Sequence, residues 1–395
     1  MGFLRVLLVM LVLLNSILGG AHRLHKVFNV IQYGAVADGK TDNAKAFEKA
    51  WEEACKWREK AMVLIPEGTF MISKVLFKGP CNGPINFRLR GVLKALPDLL
   101  SHPKWIGFRY IDRLVVGGRG AIDAQGSFAW TRNFCSVNTN CQTLPLSMGF
   151  DFVTNSRIHR IKSINSKNTH INVFACDNLN ISRIKILAPD HSPNTDGIRI
   201  GESTRIKISQ SEIGTGDDCI AMLPGSKDIL VSEVVCGPGR GISVGSLGKY
   251  RNEKNVKGIR VERSTFVGTD NGVRIKTWAN SAIDNVASHF VFENIHMKNV
   301  SNPIIVDQEY CPYPPCAEEG HIQVKITDIT FKNIWGTSRS KNAVLLRCSP
   351  RVPCRNIKLH DINLSYINNE EGSATSLCAN ADGEASGHQN PRPCI

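Results

Sequence analysis

Five short apolar runs return along the middle of the chain: Leu179-Asn180-Ile181, Ile206-Lys207-Ile208, Ile229-Leu230-Val231, Ile259-Arg260-Val261 and Phe290-Val291-Phe292. Their third residues are 27, 23, 30 and 31 positions apart. Runs this brief fit strands with one buried face. Each is followed three to five positions later by another apolar residue: Ile213, Val234, Phe266 and Ile295 in the last four. A period in the twenties, with Gly and Asn between the runs, fits the stacked coils of a parallel β-helix. In such a stack each coil covers the open edge of the one before, and equivalent side chains form ladders. Helical signals sit near the start, where Thr41-Asp42-Asn43 is expected to cap a helix through Ala46, Phe47, Ala50, Trp51 and Ala54. That helix would plug one end of the stack, whose exposed edge is otherwise prone to pairing. The expected fold class is therefore all-β: a single-stranded parallel β-helix with a short N-terminal capping helix. The tail from about Glu370, rich in Gly, Asn, Ser and Pro, is expected to be a loop tied down by Cys378 and Cys394.

The ends and the charge bound the setting. Arg5, the apolar run Leu7 to Leu14 and the small residues Gly19-Gly20-Ala21 read as a secretory signal peptide over residues 1–21, leaving a domain over 22–395. The apolar run is shorter than the ~20 residues a membrane span needs, so no membrane association is expected once the leader is removed. Thirteen cysteines suit an oxidising destination, and their spacing does not suggest zinc. Cys348/Cys354 and Cys135/Cys141 read as loop staples, Cys219/Cys236 as a bridge between neighbouring coils, and Cys176 as the unpaired thiol. The formal net charge is +13, or +12 without Arg5, and favours polyanionic partners. A secretory leader argues against nucleic acid and leaves acidic polysaccharide as the better match. Charge alone is equally consistent with a surface serving only solubility. Asn180, Asn299 and Asn363 each begin an N-x-S glycosylation sequon.

Between residues 194 and 278 four motifs lie about one coil apart: Asn194-Thr195-Asp196-Gly197, Gly216-Asp217-Asp218-Cys219, Cys236-Gly237-Pro238-Gly239-Arg240-Gly241 and Arg274-Ile275-Lys276. Asp196 precedes Asp217 by 21 residues, Arg240 follows Asp218 by 22, and Arg274 comes 34 later. Neighbouring strands lie about 4.7–4.9 Å apart, so carboxylates on adjacent coils would stand within a few ångströms of one another. Like charges that close raise the proton affinity of at least one member. A protonated acid beside an ionised base is what glycosidic cleavage requires. Separations of ~6.5–9.5 Å between the two carboxyls accompany inversion, and ~5–5.5 Å retention. Arg274 and Lys276, on one face of a strand, carry the fixed charge suited to sugar carboxylates. Each motif alone has a plainer reading: Asn-Thr-Asp-Gly is a good turn, and an Asp-Asp pair is usually solvated surface. Gly-Pro-Gly-Arg-Gly lacks the strand–loop–helix context and Lys-Ser/Thr of a phosphate loop. Their joint recurrence at coil intervals favours a site.

Ser192-Pro-Asn-Thr-Asp-Gly-Ile198, Gly214-Thr-Gly-Asp-Asp-Cys219, Cys236-Gly-Pro-Gly-Arg-Gly-Ile-Ser243 and Arg274-Ile-Lys-Thr-Trp278 resemble the signatures of the polygalacturonase family of glycoside hydrolases. The resemblance runs from Phe28-Asn29-Val30-Ile31-Gln32-Tyr33-Gly34 through Tyr310-Cys-Pro-Tyr-Pro-Pro-Cys316 to the tail, and among subgroups is greatest to plant exopolygalacturonases. It implies a right-handed parallel β-helix that hydrolyses α-1,4-linked galacturonate of pectin with inversion and without a metal or other cofactor. It further implies a secreted, monomeric cell-wall enzyme. Asp217 would be the general acid, and Asp196 and Asp218 would hold and deprotonate the attacking water. Arg274 and Lys276 would bind galacturonate carboxylates, Tyr310 would pack against a sugar, and Asn194 would orient Asp196 or the substrate. Arg240 and Arg199 stand where the family usually has histidine. A permanent charge at Arg240 is expected to lower the Asp217 pKa and slow turnover, while adding to polyanion binding. A pectin-binding wall protein with weak catalysis is the competing reading, and a β-helical polysaccharide lyase, whose base can be an arginine, the third.

Overall fold

The computed structural model describes residues 25–97, 102–133, 143–281, 283–312, 324–368 and 372–395. The leader expected over residues 1–21 lies outside the described residues, as do Cys135 and Cys141.

The chain winds into a parallel β-helix. One sheet contains 11 strands in strict chain order, and 20 further strands form a second hydrogen-bonded network around the other sides of each coil. Long strands of that network turn a corner. Val286–Val300, for example, pairs with both Val256–Glu262 and Thr265–Val267, with Asn294 in the left-handed conformation at the bend.

The apolar runs stack as expected. Leu179, Ile206, Ile229, Ile259, Phe290, Ile329 and Ile357 pair in succession, as do Ile181, Ile208, Val231, Val261, Phe292, Phe331 and Leu359. Every one of these side chains is buried, and full burial of such a side chain favours folding by about 1.5–3 kcal/mol. The next ladder differs in part from expectation. Ile213 pairs with Cys236, Cys236 with Phe266, and Phe266 with Met297. Val234 and Ile295 are buried but belong to a neighbouring row, because the corner fixes the interval at five residues rather than three.

The capping helix spans Ala44–Lys56 and buries Phe47, Ala50, Trp51 and Ala54. Asn43 is the N-cap residue but its side chain ties down Val36, Thr41 and Met71, and it is Asp42 Oδ1 that accepts from Ala44 N at 3.1 Å. Trp51 packs on Phe77 and Phe108 at ring distances of 5.0 and 6.0 Å, and Cys55–Cys81 fastens the helix to the coil below.

The expected C-terminal loop is instead a coil of the helix. Thr375–Ala379 extends the 11-stranded sheet and Ala381–Asn390 pairs along Cys354–Tyr366. Its sequence hides this because no further strand among the described residues covers it, so its side chains stay largely exposed. Backbone pairing makes the strand, without apolar alternation. Cys378–Cys394, Cys348–Cys354 and Cys219–Cys236 are bridged, and Cys176 is a buried free thiol. Among the described residues no helix is long and apolar enough to cross a membrane.

Candidate active site

Consecutive strands Ile198–Gly201, Ile220–Met222, Ile242–Leu247, Asn271–Trp278 and Asn302–Tyr310 of the 11-stranded sheet carry the four motifs. Ile198, Ile220 and Ile242 are in register. Asp196, Asp218 and Arg240, each two residues earlier, therefore occupy equivalent places on successive coils. Asp217 stands one residue before Asp218. The coils are locked together by main-chain bonds from Gly197 N to Asp218 O at 2.9 Å and from Cys219 N to Gly241 O at 2.8 Å. Buried hydroxyls join them further: Ser192 Oγ and Thr195 Oγ1 are 2.6 Å apart, and Thr195 Oγ1 accepts from Gly216 N at 3.0 Å. The Cys219–Cys236 bridge tethers the third motif to the second. Gly239, at φ +141°, lets that loop press on Asp217: a Cβ there would stand 2.7 Å from Asp217 O, and Arg240 N donates to the same oxygen at 2.8 Å.

The three carboxylates meet. Asp196, Asp217 and Asp218 offer oxygens that all lie within 4.8 Å of one another. Asp218 is buried and clamped, its Oδ1 accepting from Arg274 Nη2 and Ser243 Oγ and its Oδ2 from Lys276 Nζ, each at 2.8 Å. Arg274 Nε also donates to Ser243 Oγ at 3.1 Å. Asp196 is buried against Arg199, whose Nε lies 2.9 Å from Oδ2 in an ion pair not aligned as a hydrogen bond, with Thr169 Oγ1 at 3.4 Å. The side chain of Asp217 is 12% exposed, against 3% for the other two, so it is the carboxyl that opens to solvent.

These surroundings split the acids. Burial pushes the Asp196 pKa up to about 7 against the pull of Arg199. Burial and then the Asp218 charge raise Asp217. Burial would raise Asp218 too, but Lys276 and Arg274 outweigh it and hold that carboxyl below its ordinary value. One carboxylate of lowered and two of raised proton affinity thus share one wall, and at such spacing they titrate as a set.

Arg240 lies beside Asp217 and acts on it in the expected direction. Its guanidinium is half exposed, with Nη1 3.6 Å from Asp217 Oδ2, and it makes no tight lock. It does pull the Asp217 pKa down, but burial and Asp218 pull harder in the other direction, so the net shift is upward. Asn194 is an exposed left-handed turn residue, and Asp196 is held by Arg199 and Thr169 instead. Arg274 and Lys276 face Asp218 in this structure, with N–H groups left over for a second anion. Lys276 Nζ also lies 5.3 Å over the Tyr310 ring, which meets Trp278 edge-on at 5.6 Å.

Sequence reasoning assigned no role to Ser243, Arg199, Thr169 or Trp278. Ser243 and Trp278 sit inside motifs, whereas Thr169 lies a coil upstream with no local signal. The trio is the one cluster among the described residues with the spacing of metal ligands. The Asp218 oxygens already accept from Lys276 and Arg274, and Arg199 faces Asp196, so side-chain cations already counter the charge of two of its three members.

Comparison with known proteins agrees with this geometry. Residues 55–387 match glycosyl hydrolases family 28, and the chain belongs to that family. It is 44% identical over 388 residues to a polygalacturonase of Gossypium hirsutum, covering 98% of this chain and 95% of the relative. It is 45% identical over 368 residues to an exopolygalacturonase of Platanus acerifolia, covering 92% and 97%. Among solved structures, a polygalacturonase from Erwinia carotovora ssp. carotovora superposes with a TM-score of 0.72 at 21% identity, covering 92% of this chain and 98% of that one. That likeness shows the parallel β-helix.

Proposed function

We propose that this chain is a secreted polygalacturonase of the cell wall, hydrolysing α-1,4-galacturonosyl linkages of de-esterified homogalacturonan by acid/base catalysis. What carries this reading is the split trio: burial raises the proton affinity of Asp217 and Asp196 beside an Asp218 that Lys276 and Arg274 clamp at 2.8 Å and hold below its ordinary value. Asp217, the most open of the three, donates to the leaving glycosidic oxygen. Asp196 and Asp218 hold the attacking water on the opposite side of the sugar, and as its oxygen bonds to the anomeric carbon and the glycosidic bond breaks, the Asp218 carboxylate takes its proton, which inverts that carbon. Spare donors of Arg274 and Lys276 bind the sugar carboxylates, and Tyr310 offers a ring face to a sugar. The several relatives named exopolygalacturonase support attack at a chain end.

Digestion of defined oligogalacturonides tests this. The expected products are single galacturonate units released stepwise, without ultraviolet-absorbing unsaturated ends, and NMR of the fresh product should show the β anomer first. Unsaturated products would replace hydrolysis by elimination, and polymer binding with no release would leave a pectin-binding protein.

A further inference from the structure

Away from the carboxylate trio, the larger network carries a second concentration of charge. Arg88, Gly117, His159, Ser182 and Ser209 form one row across successive coils, and Arg157, Asn180 and Lys207 form another. At the corner just past the first row, Arg119, Arg160 and Arg183 all take the left-handed conformation. Arg119 N donates to Arg160 O at 2.7 Å, and Arg160 N and Arg183 N donate to the next coil at 3.2 and 3.1 Å. Three guanidinium-bearing residues are thereby stacked at the spacing of successive strands, about 4.7–4.9 Å. Further along the same corner the left-handed positions hold Gln210, Glu233, Arg263, Asn294 and Asn333, so the turn does not require arginine.

These cations lack the partners that the fold gives others. Among the described residues Arg88, Arg119, Arg157, Arg160 and Arg183 have no carboxylate within ion-pair distance; Arg183 Nε donates to the neutral Gln210 at 2.9 Å. Later on the same flank, Arg260 pairs with Glu262 and Glu293, and Arg263 with Glu262. Two recesses of about 430 and 370 Å³ meet at His159 and Arg160, and Glu67 is the sole carboxylate lining either. Two buried polar atoms there have no partner, Arg88 Nε and Asn180 Oδ1. Stacked, unpaired like charges oppose folding, and a bound anion would offset that cost.

We propose that this arginine corner is a second polyanion-binding surface, separate from the catalytic sheet, which holds a stretch of acidic polysaccharide without cleaving it. The choice of a polyuronate over other polyanions rests on the polygalacturonase reading above. It also rests on form, since a straight ladder of single cations matches a linear chain with one carboxylate per sugar. Such a surface keeps the enzyme on its polymer between cleavage events.

The test compares the full chain with an Arg119→Gln/Arg160→Gln/Arg183→Gln variant, all at exposed corner positions. Retention on immobilised polygalacturonate across a salt gradient is measured beside hydrolysis of soluble trigalacturonate. The variant should elute at lower salt, with affinity for the polymer down by about tenfold, while trimer hydrolysis stays within about twofold. A matched triple Arg→Lys variant, which preserves charge, should keep most of the retention. Unchanged retention of the Gln variant overturns the proposal, as does wild-type retention on DNA or heparin but not on polygalacturonate. The two readings fail separately. Active wild type with unaltered retention of the variant removes only this surface, and charge-dependent retention with no hydrolysis removes only the enzymatic reading.

Discussion

On the catalytic sheet the cations Arg199, Arg240, Arg274 and Lys276 each face a carboxylate. At the corner formed by Arg119, Arg160 and Arg183 no such partner exists among the described residues. Both regions are built from side chains stacked by one coil pitch, so the architecture is shared and only the charge pattern differs. Where opposite charges alternate in a buried setting, the fold sets proton affinities. Where like charges repeat on an exposed edge, it presents a field to solvent.

The largest effect should come from the one catalytic carboxyl that opens outward. Asp217→Asn keeps the shape and removes the proton donor, and initial rates on polygalacturonate should fall by roughly 10²–10⁴-fold with little change in melting temperature. Next is Lys276→Met, which removes one of the two side-chain cations holding Asp218. Removing one partner of a buried ion pair costs ~3–5 kcal/mol when the other is left uncompensated. Arg274 stays in place, so denaturant unfolding should show a smaller loss. Asp218 would then bind its proton more readily, and the acid side of the activity profile should move to higher pH. Arg240→His acts first through Asp217, the largest of the electrostatic partners of that guanidinium. Arginine at that distance pulls the Asp217 pKa down, so replacing it with a titrating group should raise the pH at which the acid loses its proton and increase the rate on the alkaline side. Identical profiles for the two proteins would remove Arg240 from the catalytic account. The smallest effect is expected at the corner, where Arg160→Gln relieves repulsion without breaking a pair. Thermal unfolding should show a change within about 0.5 kcal/mol, on the stabilising side.

Much of this contrast was legible before any coordinates. The two apolar positions of each run gave the ladder because burial repeats with the coil, and Asp196, Asp217, Asp218, Arg274 and Lys276 were found because the motifs recur with it. What stayed hidden depends on direction rather than spacing. Arg274 and Lys276 were expected to face substrate, yet they grip Asp218, which only their reach across Ser243 reveals. The pull of Arg240 on Asp217 follows from the motif, but burial, the larger influence on that carboxyl, does not show in a motif. The last coil was missed because a strand with exposed faces has no alternation to read, and the arginine corner because its members are scattered singly through unrelated strands.

The central claim is that buried aspartates keep a proton for glycosidic cleavage while a clamped neighbour stays ionised. Its most direct test is the rate of trigalacturonate hydrolysis against pH at constant ionic strength. Asp218 is held below its ordinary range, so activity should persist well into acid and fall only as that group protonates. Asp217 is raised by burial and by the Asp218 charge, so activity should fall as pH climbs past the ordinary carboxylate range and that acid loses its proton. A rate that stays flat or keeps rising to pH 9 would contradict it, because the reaction would then need no acid from the trio.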